Sequence, residues 1–162
     1  MYDVLEVCRH IINYCNDKDY GISNLKLQKL LYFIQAYFLI ASPNHKACFY
    51  EPIEAWDFGP VVPVAYGEYK QYGSTNIPHI DYYYNNSWSN LFRSPPIKFN
   101  DDVITSEDKL LIDAVIEKLK SYSATDLVKI THNQQPWREA YGGGYSREIT
   151  HEAIRRYFDA DR

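Results

Sequence analysis

Any chemistry in this chain would have to start from its histidine, cysteine and carboxylate side chains, which are few and scattered. The histidines are His10, His45, His79, His132 and His151. None belongs to a His-Glu-x-x-His pattern or to a zinc-type cysteine and histidine spacing, so neither a metal nor a cofactor is expected. Cys48 with His45 or His132 is the one conceivable nucleophile and base, but a lone cysteine beside scattered histidines is far more often inert. Cys8, Cys15 and Cys48 read instead as small buried hydrophobes of a protein in a reducing cytoplasm. Glu54 and Asp57, three apart on an extended stretch, point to opposite faces and suit paired acid and base work poorly. Gly142, Gly143 and Gly144 are not followed by Lys and Ser or Thr, and read as a hinge rather than a phosphate loop. No enzyme signature emerges.

Two local arrangements carry more. In Trp56, Asp57, Phe58, Gly59, Pro60 and Val61, the glycine permits a sharp turn and the proline stiffens the next step. The flanking rings then have to bury or bind something. A corner packed on the core and a binding site both fit. In the stretch from Thr131 to Trp137, His132 near a helix end is placed to donate to free carbonyls. Pro136 closes the helix, and Trp137 anchors the turn that follows.

These groups must be positioned by helices. From Ile22 to Ile40 apolar and aromatic residues occupy nearly every side of a helix, with Ser23 as N-cap and Pro43 past its end, so a buried central helix is predicted. Its polar residues form two stripes, Lys26 with Lys29 and, opposite, Gln28 with Gln35. Burying a lysine is costly unless it is paired, so the lysine stripe must reach solvent, an internal carboxylate such as Asp57, or a partner. The expected partner surface is therefore Lys26 and Lys29 together with Trp56, Asp57, Gly59 and Pro60.

Around this helix the pattern predicts a first amphipathic helix from Tyr2 to Cys15, with Glu6, Arg9 and His10 outside. Ile53 to Phe58 reads as a brief strand, and a short helix runs from Pro63 towards Gly73. A small hairpin or two edge strands fit Ile77 to Tyr84 and Pro96 to Phe99. Thr105 with Asp108 resembles a capping box ahead of a helix facing inward through Leu111, Val115, Leu119 and Tyr122. Ser123 with Asp126 starts another, Trp137 to Tyr141 adds a turn, and Thr150 caps a terminal helix. The expected fold is mainly α: a single compact helical domain over residues 1–162, built around the central helix, with a small β-hairpin or short sheet.

Composition narrows the function classes. The net charge of −4 disfavours a broad nucleic-acid footprint. Asp3 and Glu6 interrupt any signal peptide, while Lys26, Gln28, Lys29 and Gln35 make the run from Asn24 to Ala41 costly in a membrane. Tyrosine is the outlier at 16 residues, which fits a surface rich in amphipathic rings.

Three motifs in order then point to a family: SNLKLQKLLYFIQAY with EPIEAWDFGPVVPVAYGEYKQYG, L-x-x-I-T-H-x-x-x-P-W from Leu127 to Trp137, and ITHEAIRRYF near the end. They closely resemble the Panacea domain, also called the antitoxin SocA-like domain, which phage-associated GepA-type proteins also carry. The match runs to Phe158, and only Tyr82 to Trp88 looks peculiar to this chain. Gln28, Tyr32, His132, Pro136 and Trp137 fall in these motifs and are expected to be structural. The resemblance implies a mainly helical domain of bacteria and their phages that in many members neutralises a toxin encoded next to it. One member resembles the rest but acts as an adaptor delivering its toxin to the ClpXP protease. The expected function is an antitoxin-like, non-enzymatic module that binds a cognate toxin directly, with a protein partner and no membrane. The alternatives are a ClpXP adaptor, or a phage or prophage protein that binds a host or defence factor.

Overall fold

A computed structural model describes residues 1–85, 94–142 and 147–160. Its order is α1 (Val4–Asp17), α2 (Asn24–Ala41), β1 (Glu54–Trp56), β2 (Gly59–Val61), α3 (Pro63–Tyr69), β3 (Tyr82–Tyr83), β4 (Ile97–Lys98), α4 (Ser106–Leu119), α5 (Ala124–His132), α6 (Gln135–Tyr141) and α7 (His151–Ala160). The fold is mainly helical, with two small antiparallel hairpins, β1–β2 and β3–β4. Residues 86–88 of the tyrosine-rich stretch, and Gly143 and Gly144, lie outside the described residues.

The central helix is α2. Ser23 caps it by accepting from the Lys26 N–H, and its sides contact α1, α3, α4, α5, α7 and β2. Leu27, Leu31, Ile34 and Phe38 are wholly buried. Packing on so many sides leaves only Tyr37 and Ala41 of the helix exposed, which is what an apolar pattern without a broad polar face requires. Among the described residues no helix is long and apolar enough to cross a membrane.

Local start signals became helix starts where a cap could form. Ser123 and Asp126 close a reciprocal capping box at α5, and the Thr150 hydroxyl accepts from the Ala153 N–H at 3.1 Å. At α4 only half of the expected box forms. Thr105 accepts from the Asp108 N–H, but the Asp108 carboxylate turns inward to the Tyr2 hydroxyl and to the Lys46 ammonium at 2.8 Å. The buried face of α4 is correspondingly Asp108, Ile112, Val115 and Ile116, while Tyr122 is exposed. Lys46 supplies a compensating charge and Tyr2 a second donor, where a return to the helix end would offer a single backbone N–H.

The first helix also departs from its pattern, because Arg9 and His10 are buried. Arg9 pairs with Glu6 at 3.0 Å and its guanidinium lies 3.5 Å from the Tyr83 ring centre, covered by the β3–β4 hairpin. His10 is held between Asp101 at Nδ1, 2.7 Å away, and Asp113 at Nε2, 2.8 Å away. Both partners come from residues about a hundred positions along the chain, out of reach of a helical wheel. Lys109 adds a contact to Asp101 at 3.0 Å.

Carboxylates only accept, so both His10 contacts are hydrogen bonds when both ring nitrogens carry a proton. Burial pulls the imidazole pKa down, but the bonds to Asp113 and Asp101 outweigh it and leave the pKa raised above 6.5. This stabilisation is complete below the unfolded-state value and is lost as pH rises through the folded-state value. His10→Gln is expected to lower stability by about 2 kcal/mol at pH 6. The gap from wild type should narrow by pH 9, as read from paired thermal melts.

Candidate functional site

The β1–β2 hairpin pairs Trp56 with Gly59 and Ala55 with Pro60, leaving Asp57 and Phe58 at the turn. Gly59 has φ +99, and a Cβ there would lie 2.8 Å from Thr131 Oγ1 and 2.9 Å from Lys29 Cε. Glycine is needed on both counts, for the left-handed backbone and for the close passage of the lysine beneath it. The Lys29 Nζ then donates to the Pro60 carbonyl at 2.8 Å.

Lys29 is 0% exposed, so it does not share a solvent-facing stripe with Lys26. Nor does it pair with Asp57, whose carboxylate sits at the exposed turn and accepts from the Tyr141 hydroxyl. Among the described residues no carboxylate lies within ion-pair distance of Lys29, and burial lowers its pKa from 10.5 to about 7. Lys26 stays half-buried, its ammonium donating to the Lys120 carbonyl at 3.0 Å. Gly59 and Pro60 are buried as well. Of the residues expected to meet a partner, Lys26, Trp56 and Asp57 reach the surface, while Lys29, Gly59 and Pro60 form the back of the same hairpin.

The remaining motif residues fix this hairpin from other sides. Gln28 accepts from the Val62 N–H at 3.0 Å and donates to Asn24 at 2.9 Å, which holds the exit of β2 against α2. The Tyr32 hydroxyl donates to Gln134 at 2.9 Å, just ahead of α6, and buried Pro136 lies in the first turn of that helix. The Trp137 indole N–H donates to the Trp56 carbonyl at 2.9 Å. Its ring stacks between His132, with centroids 4.1 Å apart, and Tyr141, at 4.5 Å. His132 acts through this stack rather than by capping carbonyls. Its Nε2 is buried without a hydrogen-bond partner among the described residues, and the Asn133 and Gln134 N–H groups take the α5 carbonyls. Residues 147–149 complete the support, with Ala55 N–H donating to Arg147 and Ile149 N–H donating to Ile53 on the free edge of β1.

In front of the hairpin lies a groove of about 530 Å³ between α2 and α3. Its walls include Leu25, Trp56, Phe58, Val61, Tyr66 and Lys70. Trp56 and Tyr66 meet edge to face at 5.1 Å, and Phe58 is 67% exposed at the turn. Phe58, Tyr66 and Lys70 are absent from the partner surface expected from sequence. No short-range signal marked them, since the two-residue turn that exposes Phe58 exists only because Gly59 and Pro60 pair as a strand. Aromatic rings and amides line this site, and among the described residues no three His, Cys, Asp or Glu side chains converge as a metal site requires. Such a groove is suited to holding an apolar side chain of another molecule.

A sequence model of the family described as antitoxin SocA-like, Panacea domain matches residues 27–138, which take in most of α2, the hairpin, α3 and α5 through to Trp137. Antitoxin SocA of Caulobacter vibrioides (strain NA1000 / CB15N) is 47% identical over 64 residues, covering 36% of this chain and 32% of that protein. The chain thus spans about a third of the length of this curated relative. No solved structure matches the present chain.

Two substitutions test the architecture behind the groove. Trp137→Ala removes the indole that ties α6 to Trp56 and is expected to cost about 3–5 kcal/mol, measured by urea unfolding. For Lys29, the unfolded chain holds a proton between pH 7 and 10.5 that the folded chain has released, so stability rises with pH across that window. In Lys29→Met that rise should be absent. Wild type should therefore gain stability relative to the variant as pH is raised from about 7 to 10, as followed by chemical denaturation.

Proposed function

We propose a function from one premise: the chain belongs to the antitoxin SocA-like, Panacea domain family. It is an antitoxin-like, non-catalytic module that neutralises a cognate protein toxin by direct contact. The observation that carries this reading is the family match over residues 27–138, supported by the curated relative that is itself named an antitoxin. The toxin docks on the exposed front of the β1–β2 hairpin, where Trp56, Asp57, Phe58 and Tyr66 face outward and Lys26 flanks them. Lys29, Gly59 and Pro60 serve the same surface from behind by fixing its backbone.

The geometry supports this surface over the other faces because large apolar rings stand exposed on a backbone held by hydrogen bonds from three segments, α2, α6 and residues 147–149. Docking on a prepaid conformation loses little entropy, and exposed aromatic side chains supply most of the affinity at protein interfaces.

The test is coexpression with the product of each neighbouring reading frame in a host whose growth that product arrests. Wild type is expected to restore growth, including in a host lacking ClpXP, and to form a complex with the purified product. Phe58→Glu and Trp56→Ala are expected to lose rescue by at least tenfold in colony count. The exposed Phe58 site should keep its melting temperature within about 4 °C of wild type. No rescue by wild type would defeat the antitoxin reading, and full rescue by both variants would place the toxin on another face.

A further inference from the structure

We infer that the segment received by the groove is an aromatic residue next to a carboxylate, the ring seated among Trp56, Phe58 and Tyr66 and the carboxylate paired with Lys70. This rests on the docking face proposed above and adds the chemistry of what docks.

The buried polar walls of the groove are already committed. The Gln28 amide serves Asn24 and Val62, and the Asn24 amide donates to the Tyr66 carbonyl at 3.1 Å. Asp57, the acid on the rim, is held by the Tyr141 hydroxyl. Lys70 is different. It lies exposed on the lining just past the end of α3, and among the described residues no carboxylate stands within 4.0 Å of its ammonium. With the charged Asp57 drawn towards α6 by Tyr141 and Lys70 left unpaired at the α3 end of the rim, an apolar side chain with an adjacent anion at that end is favoured over the same side chain beside a lysine. The edge-to-face contact of Trp56 and Tyr66 leaves further ring edges and faces for an incoming aromatic group.

The probes are three blocked dipeptides, acetyl-Trp-Glu-amide, acetyl-Trp-Lys-amide and acetyl-Ala-Glu-amide, titrated into the ¹⁵N-labelled full chain. The readout is the Trp56 indole signal and the backbone amides of Asp57, Phe58 and Lys70. The Trp-Glu probe should shift these signals with affinity in the millimolar range and bind about two- to fivefold tighter than Trp-Lys at low salt. Ala-Glu should bind at least roughly tenfold more weakly than Trp-Glu. In Lys70→Gln the preference for Glu should vanish, and in Lys70→Glu it should reverse, with the rest of each spectrum unchanged. Equal binding of the two tryptophan probes, shifts that map to another face, or no shift at about 10 mM would overturn the inference. Because the dipeptides read the groove without any toxin, these outcomes are separate from loss of growth rescue, which bears on the function itself.

Discussion

The polar groups buried on α2 cannot be left without partners, and meeting that demand arranges much of the molecule. An unmatched buried donor or acceptor costs about 1–3 kcal/mol, and α2 buries Asn24, Gln28, Lys29, Tyr32 and Gln35. Asn24 takes the Tyr66 carbonyl, Gln28 the Val62 N–H and Lys29 the Pro60 carbonyl. Gln35 accepts from Cys48 N–H at 2.8 Å and from Phe49 N–H at 3.3 Å. Apart from Tyr66, which lies in the two-turn helix α3, each partner sits in irregular chain or in a three-residue strand that could not hold its own position. The helix thus works as a template. Its apolar groups drive burial without direction, and its amides and amine decide which segment lies where.

How much of this could be read in the sequence follows from the range of each interaction. The extent of α2, the caps at Ser23, Ser123 and Thr150, and the proline start of α3 rest on groups three or four residues apart and were legible. The second strand of the first hairpin was not, because Pro60 argues against a strand unless its missing N–H costs no ladder bond. The destination of Lys29 was open for another reason. A helical wheel places its Cβ but says nothing of a carbonyl 31 residues away. Arg9 and His10 were misplaced outside on the same ground, their cover coming from Tyr83, Asp101 and Asp113.

The first hairpin has two unlike sides. Behind it, glycine, a buried amine and a tryptophan donor lock the backbone, and in front, rings, the Asp57 carboxylate and the Lys70 ammonium stand in water. The separation allows the front to change in sequence without disturbing the anchor. Phe58, Lys70 and Tyr66 make no side-chain hydrogen bond or ion pair to the core among the described residues, whereas Gly59 has no room even for a methyl group.

The position of α7 carries a consequence for synthesis. It covers α2 and brings Phe158 edge to face with Tyr32 and Phe33, at centroid distances of 6.0 and 6.2 Å. Yet α7 begins at residue 151, 110 residues after α2 ends at 41. At ordinary rates of translation the apolar flank of α2 therefore waits roughly 5–20 s on the ribosome for its cover. Residues 147–149, which bridge to β1, arrive equally late, so the hairpin also stays open on one edge until then. Until α7 docks, this apolar flank and the open hairpin edge are the kind of transiently exposed surface on which chaperones and proteases act.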